Sequence, residues 1–544
     1  MRSSRREFVR FLRSVAPGLA AALLAVAPLT AQTSTAVLEG DAVGVVGNVT
    51  RIDNLAVNDL GEWIVEADTD NADTEGDSVV IRNGVLLLTE GQAMASPAGT
   101  TLDFFDTINL NLAGHSAWNF SLDGTSGGSD DTAVYWNTSL LIQEGDVSGA
   151  APLTPGTPYI GFFECKLNDS DEVLLLASID DVNIAGSVDR LLVKLTTDGA
   201  GTLLSETVVQ LDGAPLAGES VTDMETNPHA FDFNNSGQSI YIADLTGPTA
   251  NNAVVAIDGV VIAQKGFPAP VAGRNWSSFG VGKVDLNDNG GYVLLGSMDG
   301  DAASNTLIEV SGAKLVQEGD PLPLDNDFSF TSFGSGPVQI GDNGNVLWFG
   351  DWNDPDTDVD TGLFLNDLLI VQEGVTTIGG LTVDSLRGIQ DGYSLSPDGE
   401  WVIFEADMLG GIEGAFLIDI GPWVSLGKSK AGTDGKAPQL RGTGSLVDST
   451  PIELAITNGV SSGVASLVVG FSTLDAPVEG GTLVPELDLI LAGLPLNASG
   501  ELLLSSSWPT GVPAGFDFYM QCWVMDPGAS FGWAVSNALK ATTP

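Results

Sequence analysis

Carboxylates are the reactive groups this chain carries in quantity, and it sets them out in patterns. Residues 351–360, DWNDPDTDVD, place Asp354, Asp356, Asp358 and Asp360 at alternate positions. Alternating carboxylates in one loop can converge on a hard cation, and calcium takes roughly six to eight oxygens. Those four residues are therefore the metal candidates, with Ca2+ as the candidate cofactor, although the loop lacks the glycine and the terminal glutamate of an EF-hand. A second stretch, DTDNADTEGD, gathers Asp68, Asp70, Asp73, Glu75 and Asp77. A third pattern, Glu-Gly-Asp, stands in LLIQEGD (140–146) and KLVQEGD (314–320), where two close carboxylates suggest acid–base work. Such a pair needs unlike surroundings for its two members, and tandem copies offer like ones. No catalytic residue is assigned on this basis. The remaining chemistry is thin. There are two histidines, His115 and His229, and two cysteines, Cys165 and Cys522. His-rich metal sites are thereby excluded, and no Gly-x-Ser-x-Gly elbow, phosphate loop or zinc spacing is present. The cysteines read as separate buried thiols. His115 reads as exposed, whereas His229, in TNPHAFDFNN, precedes a strand that could face a channel.

The elements that hold these carboxylates follow from repetition. The Glu-Gly phrase recurs at Glu39, Glu90, Glu144, Glu318 and Glu373, with degenerate copies at Glu206 and Lys265, at intervals of 51 to 62 residues. An Asn-x-x-Gly phrase keeps step with it, at Asn58, Asn111, Asn168, Asn234, Asn287, Gly341 and Ser396. Asn and Asp tolerate the left-handed turn conformation and Gly adopts it freely. Each unit parses as a strand, the Asn-x-x-Gly turn, a second strand, an acidic loop, a third strand, a tight turn and a fourth strand ending on Glu-Gly. The acidic loop opens on Asp68, Asp123, Asp180, Asp244, Asp299, Asp351 and Asp407 in turn. Four antiparallel strands every ~50 residues describe a β-propeller blade. The spacing predicts an all-β chain: a seven-bladed β-propeller closed by the N-terminal strand TAVLEGD, followed by a C-terminal β-sandwich. The Glu-Gly-Asp acids are expected to face solvent where one blade crosses to the next. Phe105, Phe163, Trp276, Phe279, Phe333 and Trp352 fall near the acidic face and are the candidates for stacking on a sugar or peptide ligand, with packing between blades as the competing reading.

The tandem Asn-x-x-Gly phrase followed by an apolar strand resembles the exported bacterial proteins called choice-of-anchor tandem repeat NxxGxxAF-containing proteins. The resemblance covers roughly residues 35–420. This chain departs from it by using Val, Leu or Trp where that family often has Ala-Phe, and the family offers no reaction to carry over. From TNG to SNALKATTP, the C-terminal stretch resembles a module common on secreted proteins of environmental bacteria, which implies a sorting or attachment role.

The ends fix the compartment. MRSSRREFVR opens on a basic cluster with a twin-arginine export pattern, and an Ala-rich apolar run and a small-residue exit follow. The expected organisation is a signal peptide over 1–31, the propeller over 32–421, a linker over 422–441 and the sandwich over 442–544. An uncleaved N-terminal anchor is the alternative. No later segment is long enough to span a membrane as a helix. The first 31 residues hold five Arg and one Glu, leaving 15 basic against 70 acidic residues. Phosphate binding requires Lys and Arg, so nucleic acid is excluded as a partner. The expected function is a secreted or cell-surface acidic binding or structural protein, with an unidentified extracellular glycan or protein as ligand. The alternative is an exported calcium-assisted hydrolase or lyase acting on an extracellular carbohydrate or ester. It is expected in the periplasm, on the cell surface or outside the cell.

Overall fold

Strand-formers and turn residues alternate from Thr33 to the C-terminus, and the backbone follows them. The computed structural model describes residues 33–184, 188–323 and 325–544; the expected signal peptide lies outside them. Among the described residues there is no α-helix, only 3₁₀ turns at Ala302–Ser304, Thr433–Gly435 and Ser530–Gly532. The chain is all-β, built of antiparallel sheets.

Seven sheets follow one another along the chain up to Asp419. The tight turns between third and fourth strands explain much of the local folding. Asn83, Asn137, Asp258, Ser311 and Asn366 take left-handed φ of 48°, 50°, 47°, 49° and 56°, as two-residue hairpin loops require. Their side chains also accept the backbone N–H that opens the second strand, from Trp63, Ser116, Ser239, Tyr292 and Val346. The turn residue thus sets its own hairpin and locks it to the strand beside it.

Each sheet hands over to the next in the same way. The N–H groups of Gly40, Gly91, Gly145, Gly213, Gly266, Gly319 and Gly374 donate to carbonyls of the following first strand, at 2.7–2.9 Å. At Gly91 a Cβ would lie 2.5 Å from the Glu75 carbonyl, and φ there is 75°, so only glycine fits. The fourth crossing therefore lies at Gly213 in QLDGA, beyond the degenerate copy expected at Glu206. A long hairpin, Asp189–Thr197 with Leu203–Leu211, displaces it.

Seven apolar clusters lie between successive sheets. One joins the last sheet to the first: Val37, Ile403, Ala415 and Leu417 pack with Val49, Ile52, Val65 and Val79. The N-terminal strand Thr33–Leu38 pairs antiparallel with Ile412–Asp419. Both sheet faces are covered, so the second strands read as nearly continuous buried runs, as in Glu172–Ile179, EVLLLASI.

Beyond Ile420 the strands form a separate group. Trp423–Ser425, Val464–Gly470, Leu489–Pro495, Asp517–Met525 and Trp533–Thr542 make one sheet. Gln439–Thr443, Pro451–Thr457 and Leu502–Ser507 make another, and both contribute to one core. Of the residues expected as linker, 423–425 and 439–441 lie in strands of these sheets. The group is tied back by bonds from Asn345 Nδ2 to the Trp423 carbonyl and from Ser425 Oγ to Asp367. Cys165 and Cys522 are both buried and unpaired.

Candidate functional site

The repeated acids have structural work. Glu90, Glu144, Glu318 and Glu373 each fold back onto a residue twelve positions earlier, accepting from Ser78 N–H, Thr132 Oγ1, Thr306 N–H and Thr361 Oγ1. Asp212 accepts the Arg190 N–H (2.8 Å) 22 positions earlier, and Glu39 accepts the Glu413 N–H (3.3 Å) from the last of the seven sheets. The preceding Gln donates to the carbonyl of the acidic loop, as Gln143 does to Asp130 and Gln317 to Ser304, both at 2.6 Å. Asp41, Asp146 and Asp320 cap the N–H three residues back. Glu39, Asp41 and Asp146 are exposed and Glu90, Glu144, Glu318 and Glu373 half-buried, so these acids do reach solvent, and each also closes the start of a third strand or its own turn.

The Asn-x-x-Gly turns form a linked series. Asn58 Oδ1 accepts from the N–H groups of Leu60 and Glu62, and its Nδ2 donates to the carbonyl of Asn111 at 2.9 Å. Asn111, Asn168, Asn234 and Asn287 likewise reach the next turn, at residues 168, 234, 287 and 341. Asn345 reaches Gly399, and Asp398 N–H donates to Asp59 Oδ1 at 2.8 Å, which joins the last turn to the first. Burial, then the neighbouring Asp398, pushes Asp59 up to about 7.

Inside this series lies a cavity of about 150 Å³ lined from all seven sheets. Two residues before each turn, the lining positions are Ala56, Asn109, Lys166, Asp232, Asp285, Gln339 and Ser394. The framework repeats here, whereas the lining changes from sheet to sheet apart from the neighbouring Asp232 and Asp285. Lys166 lies against Glu164 at 2.5 Å. Burial disfavours its charge, but Glu164 foremost and then Asp232 raise its pKa above the usual lysine value. Burial likewise works against Glu164, yet Lys166 outweighs it and holds the carboxyl below its ordinary value. Asp232 and Asp285 share a hydrogen bond, and burial raises both. Asp285 accepts from the N–H groups of Ile340 (2.6 Å) and Leu286 (2.7 Å), so it is the better anion and Asp232 holds the proton.

A second cavity, about 80 Å³, adjoins on Glu164, Lys166, His229 and Asp391. His229 sits at φ 61°, uncommon for a side chain of its size. Lys166 Nζ is 3.3 Å from its Nδ1, and its Nε2 is 2.9 Å from the Gln390 carbonyl. An ammonium only donates and a carbonyl only accepts, so these two contacts make Nδ1 the acceptor and Nε2 the donor; Nε2 also lies 3.6 Å from Asp391. Lys283 donates to the Pro228 carbonyl at 2.7 Å, and burial lowers its pKa. This set (Glu164, Lys166, His229, Asp232, Asp285, Asp391) can hold a small polar ligand or relay a proton between unlike groups.

The sequence-derived candidates land elsewhere. Phe105, Trp276, Phe279, Phe333 and Trp352 are at most 3% exposed and belong to the clusters between sheets, so they offer no ring to a ligand. Phe163 is half-buried beneath the Arg190 guanidinium, 4.7 Å from its ring centre. Asp354 and Asp356 turn back to accept the N–H groups of Asp356 (2.9 Å) and Asp358 (3.4 Å). Among the described residues only Glu75, Asp103 and Asp123 bring three ligand atoms within 4.8 Å of one another, so Asp354, Asp356, Asp358 and Asp360 do not converge. His115 is not free at the surface: its Nδ1 is 2.7 Å from Asp171 and its ring lies tilted against Trp136, 4.5 Å between centres. Lys166, Asp232 and Asp285 escaped sequence reading, yet a signal existed. They occupy a fixed offset from a repeated turn, where the seven copies carry six different residue types.

A family of unknown function, DUF7453, matches residues 204–383, from the end of the third sheet into the first strands of the seventh. No curated protein matches the chain. Among solved structures, a sialidase of Trypanosoma rangeli in complex with 2,3-difluorosialic acid is similar over 84% of this chain and 92% of its own, at 10% identity and TM-score 0.29. The polysaccharide lyase Uly1 is similar over 70% and 91%, at 10% identity and TM-score 0.30. Overlaps this loose carry no functional reading.

Proposed function

We propose that the chain is an exported, acidic seven-bladed β-propeller, closed by its N-terminal strand and followed by a β-sandwich, and that it works as a binding protein. One observation carries the binding reading. The recurrent Glu, Gln, Asp and Asn side chains are spent on the framework, which leaves the divergent cavity lining as the place for recognition. The closure reading is supported by the Thr33–Leu38 pairing and by the cluster between last and first sheets. The sandwich reading is supported by the shared core of the two C-terminal sheets. The cavities, about 150 and 80 Å³, fall below the ~300 Å³ at which pockets begin to enclose a drug-sized molecule. They suit a small polar ligand better than a polymer, so a glycan or protein partner would engage the outer surfaces. Export by the twin-arginine route and an attachment role for the C-terminal group belong to this proposal.

A hydrolase or lyase is the second reading, favoured by the unlike carboxylates Asp232 and Asp285 beside Lys166. The two readings separate in one experiment. Purified residues 32–544 are screened on glycan and peptide arrays and, in parallel, against a panel of polysaccharides and esters. Binding without turnover is expected. Turnover that disappears in Asp285→Asn while the fold persists would replace the binding reading with the enzymatic one. Metal analysis of the same sample decides whether Ca2+ accompanies the protein.

A further inference from the structure

One of the seven crossings breaks the pattern, and it breaks it three times in one place. Lys265 occupies the position that Glu or Asp holds at the other six crossings, and its N–H still donates to the Ala253 carbonyl at 2.9 Å, as Glu318 N–H does to Thr306 at 3.0 Å. The residue twelve positions earlier, Ser78, Thr132, Thr306 or Thr361 in four other sheets, is here Ala253. The side-chain closure is thus removed from both ends. The third departure lies on the adjoining strand. Across the first and second strands, Asp68 faces Arg51, Asp123 faces Thr101, Asp351 faces Ser332 and Asp407 faces Ser385. In the fourth sheet Asp244 faces Asp223. Like charges opposite one another across a strand pair are destabilising.

These departures open onto a single cleft of about 240 Å³ between the fourth and fifth sheets, whose polar wall is Asp223, Glu225, Asp244, Lys265 and Ser278. Ile242, Met224 and the buried Phe279 give it an apolar side. Lys265 is half-buried, and its side chain closes no hydrogen bond or contact ion pair among the described residues, although its charge acts on Asp244 across the cleft. The charge exchange is therefore not a simple swap in which the new lysine closes onto the new aspartate. Arg190 approaches Asp223 at 3.6 Å from the third sheet, which leaves the cleft one negative charge in excess of its cations. Burial, and after it the charge of Asp223, raises the Asp244 carboxyl; the Lys265 ammonium opposes this without reversing it, so a second cation placed there would be favoured.

We infer that this cleft binds a small amino-carboxylate of basic character: an ammonium or guanidinium group seated between Asp223, Glu225 and Asp244, and a carboxylate on Lys265. The inference deepens the binding reading and rests on it, adding a place and a ligand class. Its test uses residues 32–544 with L-arginine and L-lysine as probes in titration calorimetry, and with agmatine as the partner that lacks the carboxylate. Arginine or lysine should bind the native protein, and agmatine should bind at least tenfold more weakly. The double variant Ala253→Thr/Lys265→Glu restores the closure seen at other crossings. It should lose at least tenfold in affinity while its Tm stays level or rises, which separates loss of the site from loss of the fold. Asp223→Ser should weaken binding comparably. Failure of both amino acids to bind the native chain, or binding unchanged in both variants, would overturn the inference. In either case, a ligand found elsewhere on the propeller leaves the binding reading standing.

Discussion

At the scale of single residues, the acids divide into those that cap and those that are held neutral. Glu318 is a capping acid: its carboxylate takes the Thr306 N–H at 3.0 Å. Glu318→Ala leaves that strand start without its partner and should cost about 0.5–1.5 kcal/mol, read as a lower urea midpoint with unchanged slope. Asp356→Asn keeps an acceptor in an exposed turn and should leave stability within about 0.5 kcal/mol of native. Glu405 and Glu66 are of the other kind. Burial pushes them up to about 9 and about 8. Arg387 faces Glu405 at 2.8 Å and Glu413 at 3.2 Å, but one guanidinium cannot offset two enclosed carboxylates that also face each other, so that pair keeps a proton. A carboxyl whose folded pKa lies above its unfolded value contributes stability that is complete below about 4.5 and is lost as pH climbs through about 8 and 9. The urea midpoint should therefore fall between pH 6 and pH 9, and Glu405→Gln should flatten that fall. A midpoint that rises over the same interval contradicts the assignment.

At the scale of elements, the period was legible and the facing of side chains was not. Asn58 and Glu318 announce their turns because left-handed backbone and crossings admit few residue types, so the sequence repeats them. The crossing at Gly213 was misplaced because Asp212 shortens the usual Glu and the hairpin before it is longer. Trp276 and Phe279 stayed open between ligand stacking and packing between blades, because sheets covered on both faces lose the inside–outside alternation that would place them; both are packed. Lys166 and Asp285 stayed hidden because one sequence shows a position as divergent only after its turn is aligned. The N-terminal strand carries its own prediction. Deleting residues 32–41 strips Val37 from the cluster between last and first sheets and leaves Ile412–Asp419 as an open edge. Burying one such side chain is worth about 1.5–3 kcal/mol, so the truncated chain should melt earlier. Hydrogen exchange should accelerate first in Trp401–Met408 and Ile412–Asp419; protection unchanged there would show that the pairing contributes little.

At the scale of the whole molecule, charge is the dominant fact. A net charge of −51 makes the molecule repel itself, and counter-ions screen that repulsion within ~8–10 Å near physiological ionic strength. Raising NaCl from 20 to 500 mM should raise Tm, with most of the gain complete before the upper limit; a Tm that falls with salt would mean that attractive pairs outweigh repulsion. The seven inter-sheet clusters distribute the core evenly, so no single seam dominates stability. Time, however, treats one strand differently. Thr33 pairs with Ile418, and ribosomes deliver about 5–20 residues per second. The first strand made must wait on the order of 20 to 80 s for its partner to exist. Three of its six residues are Thr33, Ser34 and Thr35, which limits the larger apolar groups left waiting to Val37 and Leu38 until the last sheet is complete.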